Sequence, residues 1–156
     1  DLGELHCLSV NRGTLTAEER FLINNHIVQT IIMLRGLPFP EYLKDVPDIA
    51  GNHHEHLDGT GYPRGLEAAA MIPQARMMAI ADIFDALTAS DRPYKLGKPL
   101  SEAVTLLAGY VRMGHLDRDL FELFLREGVH LRFAQRFLDA RQIDEVDIEA
   151  ALRRAG

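Results

Sequence analysis

Pro73-Gln74-Ala75-Arg76-Met77-Met78-Ala79-Ile80-Ala81-Asp82-Ile83-Phe84-Asp85-Ala86-Leu87-Thr88 opens with proline and continues in good helix formers, with no glycine to interrupt it. Proline suits the first turn of a helix, where its missing N–H is no loss. The run shows no strict alternation of apolar and polar residues, so it predicts a helix from Pro73 through about Ala89. Met77, Met78, Ile80, Ala81, Phe84 and Leu87 make it apolar nearly all round, which predicts a central position. Asp82 and Asp85 lie three residues apart and share a face. A carboxylate inside an apolar helix is costly unless it is paired or bound to metal. Asp82 is therefore either a metal ligand or one half of an ion pair with Arg76 or Arg92.

Upstream of that helix stands His53-His54-Glu55-His56-Leu57-Asp58-Gly59-Thr60-Gly61-Tyr62-Pro63. Successive residues on a helix point about 100° apart. His53 and His54 are thus placed to hold two neighbouring ions more easily than one. Gly59, Gly61 and Pro63 predict a sharp turn that can carry Tyr62 and backbone N–H groups toward a ligand. His26 sits among Asn24, Asn25 and Gln29 in an earlier helix; it is either a satisfied core histidine or a further ligand. His56 is expected to face solvent, and His6, His115 and His130 read as ordinary histidines.

The remaining chain also reads as helix. Thr16-Ala17-Glu18-Glu19 is a capping box, opening a helix with Phe21, Ile23, Ile27, Val28, Ile31 and Leu34 that ends near Gly36. Short helices are expected from about Pro40 and about Pro47, followed by a loop from Glu55 to about Ile72. Ser101 is expected to cap a helix to about Met113, and Asp117 another through Leu125. The stretch from His130 to Gly156 reads as one or two amphipathic helices. Glu122 with Arg126 and Glu149 with Arg153 have the spacing of surface ion pairs. The expected fold class is all-α, a compact helical bundle forming one domain over 1–156.

Composition narrows the function. With 156 residues, 47% hydrophobic and 26% charged, the chain has the make-up of a soluble globular protein. A formal net charge of −6 argues against DNA binding. Cys7 is the single cysteine, so no internal disulfide forms and a reducing, cytoplasmic setting is expected. The most apolar stretch, 68–81, is broken by Pro73 and Arg76 and is too short for a membrane span. The chain opens on Asp1 and not on methionine, and we read it as part of a longer protein.

Imidazole with carboxylate suits Mn, Fe, Zn or Co, and the lack of further cysteines disfavours a thiolate zinc site. After the Asp82 helix come Asp91-Arg92-Pro93-Tyr94-Lys95 and Lys98. Arg92 as a fork and Lys95 as a point charge are suited to phosphate oxygens; a solvated basic loop is the alternative. Two ions about 3.5–4 Å apart activate water at neutral pH and stabilise charge on a phosphoryl group, so the set fits phosphoester hydrolysis.

The motifs His53-His54-Glu55…Asp58-Gly59-Thr60-Gly61-Tyr62-Pro63…Gly65-Leu66 and Ala81-Asp82-Ile83-Phe84-Asp85-Ala86-Leu87-Thr88…Asp91-Arg92-Pro93-Tyr94-Lys95 resemble the HD-GYP domain, a bacterial branch of the HD phosphohydrolase superfamily. The resemblance runs over about 15–125. It implies an all-helical HD-type bundle and hydrolysis of cyclic di-GMP to linear pGpG or on to GMP. It also implies two or three divalent ions, Fe or Mn. By position, His26, His53, His54 and Asp82 correspond to metal ligands, with catalysis centred on His53, His54 and Asp82. Arg92 and Lys95 correspond to substrate-phosphate contacts, and Gly59, Gly61, Tyr62 and Pro63 to the loop that shapes the site. Implied partners are a diguanylate cyclase (GGDEF) domain and an upstream sensor or receiver domain, with a homodimer compatible with both. The family opens its site with His-Asp-x-Gly-Lys; here the chain reads Asp1-Leu2-Gly3-Glu4. Asp1 would be the aspartate ligand, and Glu4 stands in place of lysine. A second reading follows from that departure: a domain that binds a cyclic dinucleotide or a cyclase without catalysis. A third is an HD hydrolase for another nucleotide, such as a mixed cyclic dinucleotide.

Overall fold

The computed structural model describes residues 16–89 and 97–156, and Asp1, Glu4, Arg92 and Lys95 lie outside that range. Among the described residues there are seven α-helices and no strand; the nearest thing to one is an isolated antiparallel bridge between Asp58 and Glu67. The all-α expectation holds. The chain divides into two compact units, 1–51 and 52–156.

The first unit contains α1 (Ala17–Arg35), a 3-10 turn at Glu41–Leu43 and α2 (Val46–Gly51). The expected capping box is present. Glu19 N donates to Thr16 Oγ1 at 3.1 Å, and Thr16 N donates to Glu19 Oε2 at 2.8 Å. Of the predicted apolar face, Ile27 is buried, whereas Phe21 is 71% exposed and Ile23 is also exposed. The spacing there was only approximately helical, so no single stripe collects all six side chains. Gly51 allows α2 to approach α1: a Cβ on it would lie 2.5 Å from Ile31 Cγ1. His26 is exposed on α1, with its Nδ1 against the carbonyl of Ile23.

The second unit is built from α3 (Pro73–Thr88), α4 (Leu100–Arg112), α5 (Arg118–Arg126), α6 (Val129–Phe137) and α7 (Ile148–Ala155). Its core takes Ala79, Ile80 and Phe84 from α3 and Leu100, Ala103, Val104, Leu107, Ala108 and Val111 from α4. The α4 set recurs at three- and four-residue steps and makes one full apolar face. Phe121, Leu125, Ala134 and Leu152 complete the core from α5, α6 and α7. Phe84 meets Phe124 and Phe133 edge-on, with centroids 5.1 and 5.4 Å away. α3 is not buried on every side, since Met77 and Met78 are exposed.

Some end signals act differently from expectation. Asp117 does cap α5, accepting from Leu120 N at 3.1 Å. Ser101 does not cap α4, whose first residue is Leu100 and whose N-cap is Pro99. Its N–H and hydroxyl donate instead to the two carboxylate oxygens of Asp144, at 2.8 and 2.6 Å. Arg126 pairs with Glu122 as expected, and also takes Glu149, which the spacing had assigned to Arg153. The C-terminal end of α3 is tied down by Gln142, whose Nε2 donates to Thr88 O at 2.9 Å and Lys98 O at 3.1 Å.

His130 is 5% exposed, and burial pushes its pKa below the ordinary imidazole value, against a small opposing effect of the Phe124 carbonyl. The folded state therefore prefers the neutral ring. That preference adds stability above about pH 6.5, and the stability is lost as pH falls through the depressed folded value. Urea denaturation between pH 7.5 and 5 should show a falling midpoint, and His130→Gln should flatten that slope.

Candidate metal centre

The site in the second unit starts from the turn that follows α2. His53 and His54 lie side by side with ring centroids 4.2 Å apart and planes at 46°. His54 stacks on Tyr62 at 4.8 Å, and its carbonyl accepts from Tyr62 N at 3.2 Å. Asp82, projecting from the middle of α3, brings Oδ2 within 3.9 Å of His54 Nδ1. Three of the residues singled out in the sequence, His53, His54 and Tyr62, thus gather with Asp82 in one unit. Burial raises the Tyr62 pKa, and the charge of Asp82 raises it further. Tyr62 therefore presents a neutral O–H at physiological pH.

Asp82 differs from expectation in its surroundings. Its side chain is 40% exposed. Arg76 is not its partner: Arg76 Nη1 donates to Asp117 Oδ2 at 2.8 Å, and Nε to Met71 O at 3.0 Å. Burial works to raise the Asp117 pKa, but the bonds from Arg76 and Leu120 N outweigh it and hold the carboxyl below its ordinary value. The carboxylate of Asp82 thus faces the histidines with no arginine from its own helix to neutralise it.

The Gly-Tyr-Pro turn is held by a residue that sequence reasoning had quoted without a role. Glu55 is 1% exposed, and its two carboxylate oxygens each accept a backbone N–H. Arg64 N donates to Oε1 at 2.7 Å and Leu66 N to Oε2 at 2.8 Å. Arg64 donates in turn to the buried Asn52 side chain. Gly61 passes so close to this support that a Cβ would lie 2.2 Å from His56 N and 2.5 Å from Glu55 Cα, so only glycine fits. Gly59, at φ +77°, takes the left-handed conformation that glycine tolerates. The Tyr62–Pro63 peptide is cis. An acidic residue beside a Gly-x-Gly turn was visible in the sequence, but nothing local said that it turns inward.

His56 and His115 also depart from expectation. Far from facing solvent alone, His56 stacks on His115 with centroids 3.9 Å apart and planes at 8°. Burial, then the neighbouring His115, lower the His56 pKa, with Asp58 and Glu55 opposing. Hydrogen bonds from Thr60 lower the Asp58 pKa.

Imidazoles next to a carboxylate form a donor set suited to borderline divalent ions. A group of this kind, His56, Asp58 and His115, lies within the second unit in addition to His53, His54 and Asp82. The donor chemistry fits the metal dependence of HD domains.

The HD domain family matches residues 1–120 of the chain. A 3'3'-cGAMP-specific phosphodiesterase of Vibrio cholerae is 38% identical over 129 residues, covering 81% of this chain and 29% of that protein. A cyclic di-GMP phosphodiesterase of Pseudomonas aeruginosa is 40% identical over 114 residues, covering 73% of this chain and 26% of its own length. A cyclic di-GMP phosphodiesterase response regulator of Xanthomonas campestris pv. campestris is 46% identical over 104 residues, covering 67% and 26%. The chain thus spans under a third of the length of each of these relatives. No helix among the described residues is long and apolar enough to cross a membrane.

Proposed function

This chain belongs to the HD domain family, and from that premise we propose that it is a metal-dependent phosphodiesterase that hydrolyses cyclic di-GMP to linear pGpG or on to GMP. The observation that carries the reading is the approach of Asp82 to the stacked His54 and Tyr62, with His53 alongside. The proposed metal ligands are His26, His53, His54, Asp82 and Asp1, holding two or three Fe or Mn ions. When bound, such ions supply Lewis-acid activation of water and charge stabilisation at the phosphoryl group. Tyr62, kept neutral, offers a hydrogen-bond donor at the rim of the histidine pair. Arg92 and Lys95 are the proposed phosphate clamps. Water adds to phosphorus, one P–O3′ bond breaks, and the released 3′ oxygen takes up a proton.

In this reading 1–156 forms one HD-GYP-type domain, an interpretation supported by a family match that runs through both compact units. The domain acts as the output of a cytoplasmic bacterial second-messenger pathway. A sensor or receiver domain in the same chain and a diguanylate cyclase (GGDEF) partner complete the proposed setting.

Two other readings have a specific observation behind them. Glu4 in place of lysine favours a domain that binds the nucleotide, or a cyclase, without cleaving it. The 38% identity to a relative named for 3'3'-cGAMP favours a mixed cyclic dinucleotide as substrate. One experiment separates the three: elemental analysis of anaerobically purified protein, read beside turnover of cyclic di-GMP and 3'3'-cGAMP. Two or more Fe or Mn per chain with release of pGpG or GMP is the expected result. Metal-loaded protein that binds nucleotide without product supports the binding domain, and preferential turnover of 3'3'-cGAMP supports the third reading.

A further inference from the structure

We infer that His56, Asp58 and His115 form a second divalent-metal site, separate from the His53–His54–Asp82 group, that clamps the Gly-Tyr-Pro turn to the end of α4. One ligand atom from each of the three residues lies within 4.8 Å of the other two. Ligands of a tetrahedral zinc ion stand about 3.3–3.5 Å apart, given metal–ligand distances of about 2.0–2.2 Å. Closing from the observed spacing asks for side-chain movement and a tilt of the stacked rings.

The backbone beneath these side chains is already fixed. α4 ends in a Schellman motif: Gly114 N donates to Val111 O at 2.9 Å, and His115 N to Tyr110 O at 3.0 Å. Gly114 occupies the left-handed position at φ +79°. The His115 carbonyl then accepts from Leu57 N at 3.2 Å, the residue between His56 and Asp58. The Leu57–His115 bond therefore ties the backbone that carries His56 and Asp58 to the end of α4.

Hydrogen bonding also sets the donor atoms. Thr60 Oγ1 donates to Asp58 Oδ1 at 2.7 Å, and Thr60 N donates to the same oxygen at 3.0 Å. The hydroxyl proton being committed, Thr60 Oγ1 is an acceptor for His56 Nδ1–H, 3.0 Å away. Nε2 of His56 is then left with its lone pair, the form a metal needs, oriented by an outer partner as in known His sites. Asp58 Oδ2 stands 3.8 Å from His115 Nε2, beyond hydrogen-bond reach, so the two converge without bonding each other. His115 Nδ1 is buried without a hydrogen-bond partner among the described residues. Two imidazoles and a carboxylate that leave one position open favour Zn, Co or Ni.

The test is Co2+ or Zn2+ titration of the whole chain, read by the visible ligand-field spectrum for Co2+ and by equilibrium dialysis for Zn2+. In a His53→Ala/His54→Ala background, one equivalent should still bind, with the intensity of a tetrahedral or five-coordinate ion. Adding His115→Gln should remove that equivalent. Thr60→Val should weaken binding about 10–100-fold, as loss of an outer partner does. Should the double variant not fold, His115→Gln alone should lower the Zn2+ stoichiometry of the otherwise unchanged chain by one. No bound ion in the folded double variant, or a stoichiometry untouched by His115→Gln, overturns the assignment. Neither result bears on whether the chain cleaves cyclic di-GMP, so its failure is distinguishable from failure of the enzymatic reading.

Discussion

His53→Ala is expected to abolish metal-dependent turnover of cyclic di-GMP while leaving the fold in place. Losing an outer partner of a metal ligand typically costs about 10–100-fold in affinity or activity, so loss of a ligand itself should exceed that range. The fold should tolerate the change for a structural reason. His53 lies only partly buried, and the core of its unit is built from residues of α3 to α7. The melting temperature should therefore stay within a few degrees of the parent, with bound Fe or Mn reduced by at least one equivalent. The assay compares product release at saturating substrate with metal content of the same sample. Undiminished turnover in the folded variant would remove His53 from the ligand set and undermine the enzymatic reading with it.

Glu55→Ala should produce the largest loss of stability, although Glu55 is assigned to neither metal group. The substitution removes the buried carboxylate that accepts from the N–H groups of Arg64 and Leu66. Each orphaned donor costs about 1–3 kcal/mol, so the expected total for the two is about 2–6 kcal/mol. Glu55→Gln keeps one acceptor oxygen and turns an N–H toward the other donor, so it should recover part of that loss. Chemical denaturation of the three proteins ranks them, the glutamine variant falling between the other two. Equal stability of all three would mean that the carboxylate contributes nothing to the turn.

Several short-range signals made parts of the fold readable. Thr16 with Glu19, Asp117 with Leu120 N, and Pro73 at the head of α3 each act within one helical turn, and each appears where the sequence put it. Contacts between distant residues left no such signature. Ser101 looked like a cap because serines commonly are, yet its partner is Asp144, 43 residues away. Glu149 was matched to Arg153 by spacing, but α7 packs so that Arg126 is within 3.1 Å. The candidate site divides in the same way. The His53–His54 pair, Asp82 and the glycine turn stood out by residue type. The inward-facing Glu55 and the stack of His56 on His115 did not, because burial and a ring partner 59 positions away are properties of packing. Asp1, Arg92 and Lys95 lie outside the described residues.

Glu55 has one more consequence, for the order of events at the site. Its carboxylate grips two peptide groups of the Gly-Tyr-Pro turn, so that turn takes its shape when the chain folds and not when an ion or nucleotide arrives. If the chain binds a nucleotide as proposed, the ordering entropy that a loose loop would cost at each binding event should be largely absent from its affinity. In the proposed reading Tyr62 would belong to a preorganised wall, and differences in affinity between nucleotides should then reflect their own fit and charge.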